Sequence, residues 1–277
     1  MRKVLTVTSV ITAVCVVALC VRAFVQPGGA QVPVFNTSQP SVVRVLAQTS
    51  ESIAPLETEW KILGYTERKT PIKGLFVGRG KRHVIVLGAI HGDEPSSAAV
   101  VESFATLAAK NESSKDMTVI VIPVLNPDGF QAGSRTNHSG VDINRNFPAK
   151  NWERGSRRAR YYPGEQASSE PETRAMIELI KGTSPVLIIS VHAPLFCVNW
   201  DGPAQKIAEK MAEANQYPLC EDIGYSTPGS LGSYAGKDLS IPVITLELRE
   251  AHSSDKLIDE GVAALQAAIM WVAVNPN

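Results

Sequence analysis

Neither sign of charge dominates this chain: 27 lysines and arginines face 27 aspartates and glutamates over 277 residues. That balance excludes recruitment of nucleic acid or an anionic surface through a bulk field, so specificity has to come from a local site. Internal repeats and low-complexity tracts are lacking, which excludes a solenoid or an array. Cysteine is scarce, at four residues, and Cys15 and Cys20 fall in the N-terminal segment. Only Cys197 and Cys220 are left for the folded part, too few for a disulfide framework; a single bridge and two buried thiols both stay open.

Long apolar runs are restricted to one. Residues 4–21 are uncharged and mostly apolar, between Arg2 and Lys3 on one side and Arg22 on the other. At about 1.5 Å of rise per residue such a helix just spans a thin bilayer core, so residues 1–23 read as a signal peptide or a membrane anchor. Export to the periplasm or cell envelope is the expectation, with the product either anchored or secreted. Basic flanks on both sides and the absence of a polar face argue against an N-terminal core helix. Residues 24–54 mix Pro, Gln, Ser and Val without a sustained period and read as a tether, with at most one short strand in "SVVRVLA".

What is present beyond residue 54 is an alternation. Strand patterns at 83–89, 117–125, 185–193 and 242–248 are continuous Val/Ile/Leu runs, and helical patterns lie at 94–110, 170–182, near 203–215 and near 254–272. Continuous apolar strands are buried on both sheet faces. A hydrophobic content of 44% supports a sizeable core at this length. The expectation for 55–277 is therefore one α/β domain, with a mixed, mostly parallel central sheet covered by helices on both faces.

In such sheets the ligand site lies outside the carboxyl ends of the strands. "HGDE" (91–94) follows the first strand, "NPDG" (126–129) follows the second, and His192 and Glu247 stand near the ends of the third and fourth. Four separate segments thus bring metal-competent or acid/base groups to one edge. His91, Glu94 and His192 make a His/Glu/His set, which is a known ligand set for a catalytic zinc with one position open to water. Glu247 is an acidic residue in an otherwise apolar strand, where a charge without a task is costly. It suits the base that takes a proton from the metal-bound water; an ion pair with Arg249 is the alternative. The segment "SRTNHSGVDINRNFP" (134–148) is too polar for a packed strand. In it Asn144 and Arg145 suit a substrate carboxylate, Arg135 suits a polarised carbonyl, and Asp142 suits the orientation of a ligating histidine.

Taken in order, "GAIHGDE", "NPDG", "RTNHSGVDINRNFP", "SVHAP" and "TLELRE" resemble the zinc carboxypeptidase family over residues 60–271. The resemblance implies one Zn2+ per chain on His91, Glu94 and His192, and Glu247 as general acid/base. It also implies carboxylate recognition by Asn144 and Arg145 and carbonyl polarisation by Arg135. Within the family, "HAPLFCVNWDGPA" (192–204) and "IGYSTPGSLGSYAG" (223–236) are most similar to murein tripeptide amidases, which cleave the γ-D-glutamyl–meso-diaminopimelate bond of cell-wall peptides. By that likeness Ser230, Leu231 and Ser233 line the pocket for the leaving residue, and Tyr225 stands close to the position of the family's mobile tyrosine. Because "STPGSLGS" holds no acidic residue, the pocket is expected to suit a zwitterionic head better than a lysine ammonium. Three other readings are carried: a general metallocarboxypeptidase, a deacylase of the aspartoacylase and desuccinylase type, and a peptidoglycan-binding protein on a degenerate peptidase fold.

Overall fold

The computed structural model describes residues 58–110, 116–156, 160–250 and 252–275. The expected leader, the tether and the strand in "SVVRVLA" lie outside these residues. The described residues form one eight-stranded sheet: β1 (Thr58–Tyr65), β2 (Pro71–Val77), β3 (Arg82–Leu87), β4 (Met117–Ile122), β5 (Leu187–His192), β6 (Cys197–Asp201), β7 (Leu219–Cys220) and β8 (Val243–Glu247), in the order β1-β2-β4-β3-β5-β8-β6-β7. The central block β4-β3-β5-β8 is parallel throughout, and antiparallel pairings join β1 to β2, β2 to β4 and β6 to β8. The sheet is mixed with a parallel centre, as expected.

Strand periodicity sorts the apolar residues into two cores. Val84, Val86, Val119, Val121, Ile189, Val191, Ile244 and Leu246 face one side of the sheet. Helices α1 (Pro95–Ala108), α4 (Gln205–Asn215) and α5 (Asp255–Val274) cover it, with Val101, Phe104, Met211 and Leu265 buried in the same core. Ile85, Leu87, Ile120, Ile122, Ile188 and Val243 face the other side, against Met176, Ile177 and Ile180 of α3 (Pro171–Thr183). Successive side chains on a strand point to opposite faces, so a continuous apolar run is what a sheet covered on both sides requires. Helix α5 is long and apolar enough to cross a membrane, but Leu257, Ala264, Leu265 and Ala268 are buried in the first core.

The second face is where the site is roofed. Beyond α3, the short helix α2 (Pro127–Ala132), a single 3-10 turn (Ile143–Arg145) and a π-helical turn (Gly232–Asp238) fold over this side of the sheet. Ile143, Phe147, Leu231 and Tyr234 enter its core. The loop that leads into the 3-10 turn is fastened to α3 from below. Asn137 Nδ2 donates to Glu170 Oε2 at 2.7 Å and to Glu172 Oε2 at 3.1 Å, while Asn137 Oδ1 accepts from the backbone of Ser139 and Val141.

Burial pushes the Glu172 carboxyl up to about 7, from an ordinary value of 4.5. A raised carboxyl holds its proton in the folded state after the unfolded chain has released it. Stability therefore falls as pH rises from 4.5 to about 7, and the loss is complete above that window. Glu172→Gln keeps an acceptor for Asn137 and removes this loss. Its urea midpoint should exceed that of the unmodified protein at pH 8, by on the order of 1 kcal/mol in stability, and match it near pH 4. An equal gap at both pH values would contradict this reading.

Candidate active site

Strand β3 ends at Leu87, and the chain makes a tight loop before Pro95 opens α1. Ala89 takes a positive φ of 41° in this loop, a conformation that costs energy for a residue with a Cβ and is held here by its surroundings. The Ser97 hydroxyl accepts from Ala89 N at 2.9 Å and donates to the Glu94 carbonyl. Asn126 of "NPDG" fastens the other side: its amide nitrogen donates to the Ala89 carbonyl at 3.0 Å, and its side chain caps α2. Gly92 then lies against the backbone of Gly129, where a Cβ would come within 2.0 Å of a carbonyl carbon. "NPDG" therefore buttresses the loop and supplies no reacting group, which corrects the expectation that it brings one. Asp128 accepts from Thr70 Oγ1 at 2.6 Å instead.

Glu94 occupies the cap position of α1 without capping it, so its carboxylate is free to turn inward. Oε1 lies 2.7 Å from His91 Nδ1, and Oε2 lies 3.0 Å from Nδ1 of His192 at the end of β5. All three side chains are buried, with their ligating atoms within 4.8 Å of one another. His91 Nε2 is engaged at 3.1 Å by Asp142 Oδ1, which directs the opposite nitrogen, Nδ1, toward Glu94 and His192. Two imidazole nitrogens and one carboxylate converging in this way form the donor set of an open zinc site, so the residues fit the ion.

Asp142 is entirely buried and does more than hold His91. Its Oδ1 also accepts from Asn144 N at 3.0 Å, capping the 3-10 turn, and its Oδ2 accepts from Arg135 Nε at 3.0 Å. Arg135 Nη1 is 3.6 Å from Glu94 Oε1, so this guanidinium stands at the edge of the ligand set. Arg145, also buried, donates from Nη1 to the Asn144 carbonyl, and Asn144 Oδ1 accepts from Leu231 N at 2.9 Å. The ring of Tyr161 lies 5.0 Å from the Arg135 guanidinium carbon and 5.3 Å from that of Arg145. This contact of cation with aromatic face aligns both arginines from the solvent side.

Strands β5 and β8 pair His192 with Glu247, which places the carboxyl beside the third ligand. Glu247 is buried and, among the described residues, accepts only a long hydrogen bond from Leu195 N, at 3.4 Å. Burial raises its pKa; His192 opposes the rise and Glu94 adds to it. A raised carboxyl is a better proton acceptor and donor near neutral pH. The alternative ion pair is absent, because Arg249 is bound by both oxygens of Glu260, at 3.0 and 3.1 Å.

One cavity of about 330 Å³ joins these groups. His91, Glu94, Arg135, Asn144, Arg145, His192, Tyr225, Ser230, Leu231 and Glu247 all border it. Ser233 does not: it borders an adjoining cavity beyond the π-helical turn. The serine hydroxyls are also turned on one another, Ser230 Oγ donating to Ser233 Oγ at 3.1 Å and Ser233 Oγ to the Thr227 carbonyl at 3.2 Å. Ser230 and Leu231 therefore line the pocket as expected, and only the placement of Ser233 is corrected. A further correction concerns charge: Asp201, at the end of β6, borders the cavity and gives it the acidic residue that "STPGSLGS" lacks. Tyr161 and Asp201 were not anticipated from the sequence: Tyr161 lies in a stretch without a functional pattern, and Asp201, although within "HAPLFCVNWDGPA", was assigned no role because the strand that carries it was not foreseen. Cys197 and Cys220 are free thiols next to one another, and burial and Cys220 raise the pKa of Cys197.

A histidine ligates zinc only as the neutral imidazole, so a proton on His91 competes with the metal. Burial works against the charge on His91, but Glu94 and Asp142 outweigh it and lift the pKa to about 9. Zinc must displace that proton, so zinc affinity should rise about tenfold per pH unit from 7 toward 9 in a chelator competition; a flat profile would contradict this. Asp142→Asn should weaken zinc binding about 10- to 100-fold at pH 8 and move the levelling of the rise to lower pH.

The match to the family model described as zinc carboxypeptidase extends over residues 44–254. Murein peptide amidase A of Escherichia coli strain K12 is 36% identical over 198 residues, spanning 68% of this chain and 79% of that protein. Its counterpart in Vibrio campbellii is 30% identical over 250 residues, spanning 84% of this chain and 96% of that protein. Among solved structures, murein-tripeptide amidase MpaA from Escherichia coli O157 superposes with a TM-score of 0.63 at 29% identity, covering 79% of this chain and 97% of that one. With the ligand triad, the base and both arginines in place on this fold, the chain belongs to the zinc carboxypeptidase family.

Proposed function

We propose that this zinc metallopeptidase is a murein peptide amidase that hydrolyses the γ-D-glutamyl–meso-diaminopimelate bond. The observation that carries the reading is the continuity of the cavity: the zinc ligands and Glu247 share it with a buried guanidinium, Arg145, that has room for a carboxylate. The relatives named as murein peptide amidases support the substrate class, and the basic-flanked apolar run at residues 4–21 supports export to where wall peptides are exposed.

Bound zinc supplies a Lewis acid and a water made acidic enough to attack at neutral pH. The protein side chains do the rest. Glu247 takes the proton of the attacking water and returns it to the leaving amine, and its raised pKa suits both halves of that transfer. Arg135, fixed by Asp142, faces the carbonyl oxygen as charge develops there. Asn144 and Arg145 hold the carboxylate of the leaving residue, and Tyr225, half exposed at the mouth, closes over it. A degenerate, non-catalytic fold of this kind would be expected to miss a ligand or the base, and none is missing. The deacylase reading leaves "NPDG" and "DINRNF" unexplained, whereas here the first buttresses the ligand loop and the second forms the clamp.

Glu247→Gln should retain zinc and lower turnover at least about 100-fold. Arg145→Met should act mainly on KM for substrates with a free carboxylate, and Arg135→Met mainly on kcat. Equal effects of both arginine variants on both parameters would undo that division. The reading itself is tested by incubating the zinc enzyme with L-Ala-γ-D-Glu-meso-diaminopimelate and identifying products by mass spectrometry. Release of meso-diaminopimelate, at least about tenfold more efficiently than release of lysine from the lysine analogue, is expected. Comparable turnover of hippuryl-Phe or hippuryl-Lys would make the enzyme a general carboxypeptidase.

A further inference from the structure

Where the zinc-site cavity meets the adjoining one stands a charge pair that the catalytic apparatus does not use. Asp201 closes β6, and its Oδ1 meets Lys237 Nζ of the π-helical turn at 3.1 Å. The carboxylate is seated by two glycines of the same turn. A Cβ on Gly232 would fall 2.0 Å from Asp201 Oδ2, and one on Gly236 would fall 2.4 Å from Asp201 Cβ. A side chain at either position would evict the carboxylate, so the turn is shaped around it. Asp201 is largely buried while Lys237 is open to solvent. Asp201 borders both the zinc-site cavity and the adjoining one, and Lys237 borders the second. On the wall between Glu247 and Asp201, the buried Ser190 hydroxyl has no hydrogen-bond partner among the described residues.

The sheet register gives the distance from the reaction centre. Antiparallel pairing sets Cys197 against Glu247 and Asp201 against Val243, so Asp201 lies four residues deeper along the strands. At about 3.3 Å per residue that is about 13 Å. A diamino acid bonded through its α-nitrogen extends five single bonds to its distal carbon, about 6 Å. Hydrogen bonds at each end and the reach of the two carboxyl side chains make up the remainder.

We infer that Asp201 and Lys237 form a subsite for an α-amino-acid zwitterion at the tip of the leaving residue's side chain, an inference that rests on the amidase reading of the same site. The discrimination follows from the pair being closed on itself. A lone ammonium entering the subsite gains Asp201 but meets the Lys237 charge, and a lone carboxylate gains Lys237 but meets Asp201. A head bearing both charges lies antiparallel to the pair, with its ammonium on Asp201 Oδ2 and its carboxylate on Lys237 Nζ, and meets no like charge. This is how a pocket containing an acidic residue disfavours lysine.

The test compares γ-D-Glu-meso-diaminopimelate peptides with three analogues: the lysine peptide, the peptide with the distal carboxylate amidated and the peptide with the distal amine acetylated. The unmodified enzyme should prefer the zwitterion to each analogue by about tenfold or more in kcat/KM. Lys237→Met should bring the ratio of zwitterion to amidated head close to one, and Lys237→Arg should restore it. Asp201→Asn should raise KM for the zwitterionic peptide about tenfold or more with little change in kcat. Ratios unchanged within twofold in Lys237→Met, or an Asp201→Asn effect confined to kcat, would overturn the subsite. Calorimetry with free meso-diaminopimelate and free lysine separates this outcome from failure of the amidase reading. Preferential, Lys237-dependent binding of diaminopimelate without cleavage of the peptide would sink the reaction and keep the subsite. Cleavage with unaltered preferences in the variants would do the reverse.

Discussion

A single carboxylate with no solvent access, that of Asp142, holds the zinc site and the substrate clamp in one frame. Its two oxygens receive His91 Nε2, Asn144 N and Arg135 Nε, so one buried anion fixes a metal ligand, the start of the clamp turn and the carbonyl-facing guanidinium. An anion in such a place is tolerable only because both oxygens are hydrogen-bonded and because cations surround it. His91 and Arg135 hold its pKa well below the usual carboxylate range against the effect of burial. The arrangement is reciprocal: Asp142 in turn raises the pKa of His91 and of Arg135 against the effect of their burial.

The fold serves this frame by bringing separated segments to one edge. The parallel pairing of β5 with β8 sets His192 beside Glu247 without any loop to adjust, and β3 delivers its loop from the neighbouring strand. The less regular elements lie on the opposite side of the cavity, where the 3-10 and π-helical turns are tied to each other by the Asn144 side chain and Leu231 N. His192 and Glu247 thus stand on strands, His91 and Glu94 on the loop that β3 delivers, and the clamp of Asn144 and Arg145 on a turn, so the clamp lies on elements separate from the strands that carry the third ligand and the base.

The parallel centre and the helices were legible because buried strands and covering helices leave strong apolar periods. His91, Glu94, His192 and Glu247 were legible because polar groups at the ends of such strands have few structural explanations. Strands β1 and β2 were not, since β1 is exposed along most of its length and carries a weak apolar pattern. Strand β6 was hidden for a different reason: it is short, and it lies out of chain order between β8, with which it pairs antiparallel, and β7, with which it pairs parallel. With β6 unseen, Asp201 could not be placed in the pocket, and Ser233 of "STPGSLGS" was given a place there although it borders the adjoining cavity. Asn126 and Asp128 show the converse, as polar residues at a strand end whose task proves to be support of the neighbouring loop.

If Asp142 serves both the metal and the substrate clamp, restoring the metal alone cannot restore the enzyme. The most direct measurement is the turnover of Asp142→Asn at zinc concentrations that saturate the variant, with occupancy checked by metal analysis. The account predicts full zinc occupancy with kcat still at least about tenfold below that of the unmodified enzyme, because Arg135 and the Asn144 turn have lost their common anchor. Recovery of unmodified kcat on saturation with zinc would show that Asp142 acts through the metal alone and would contradict the account.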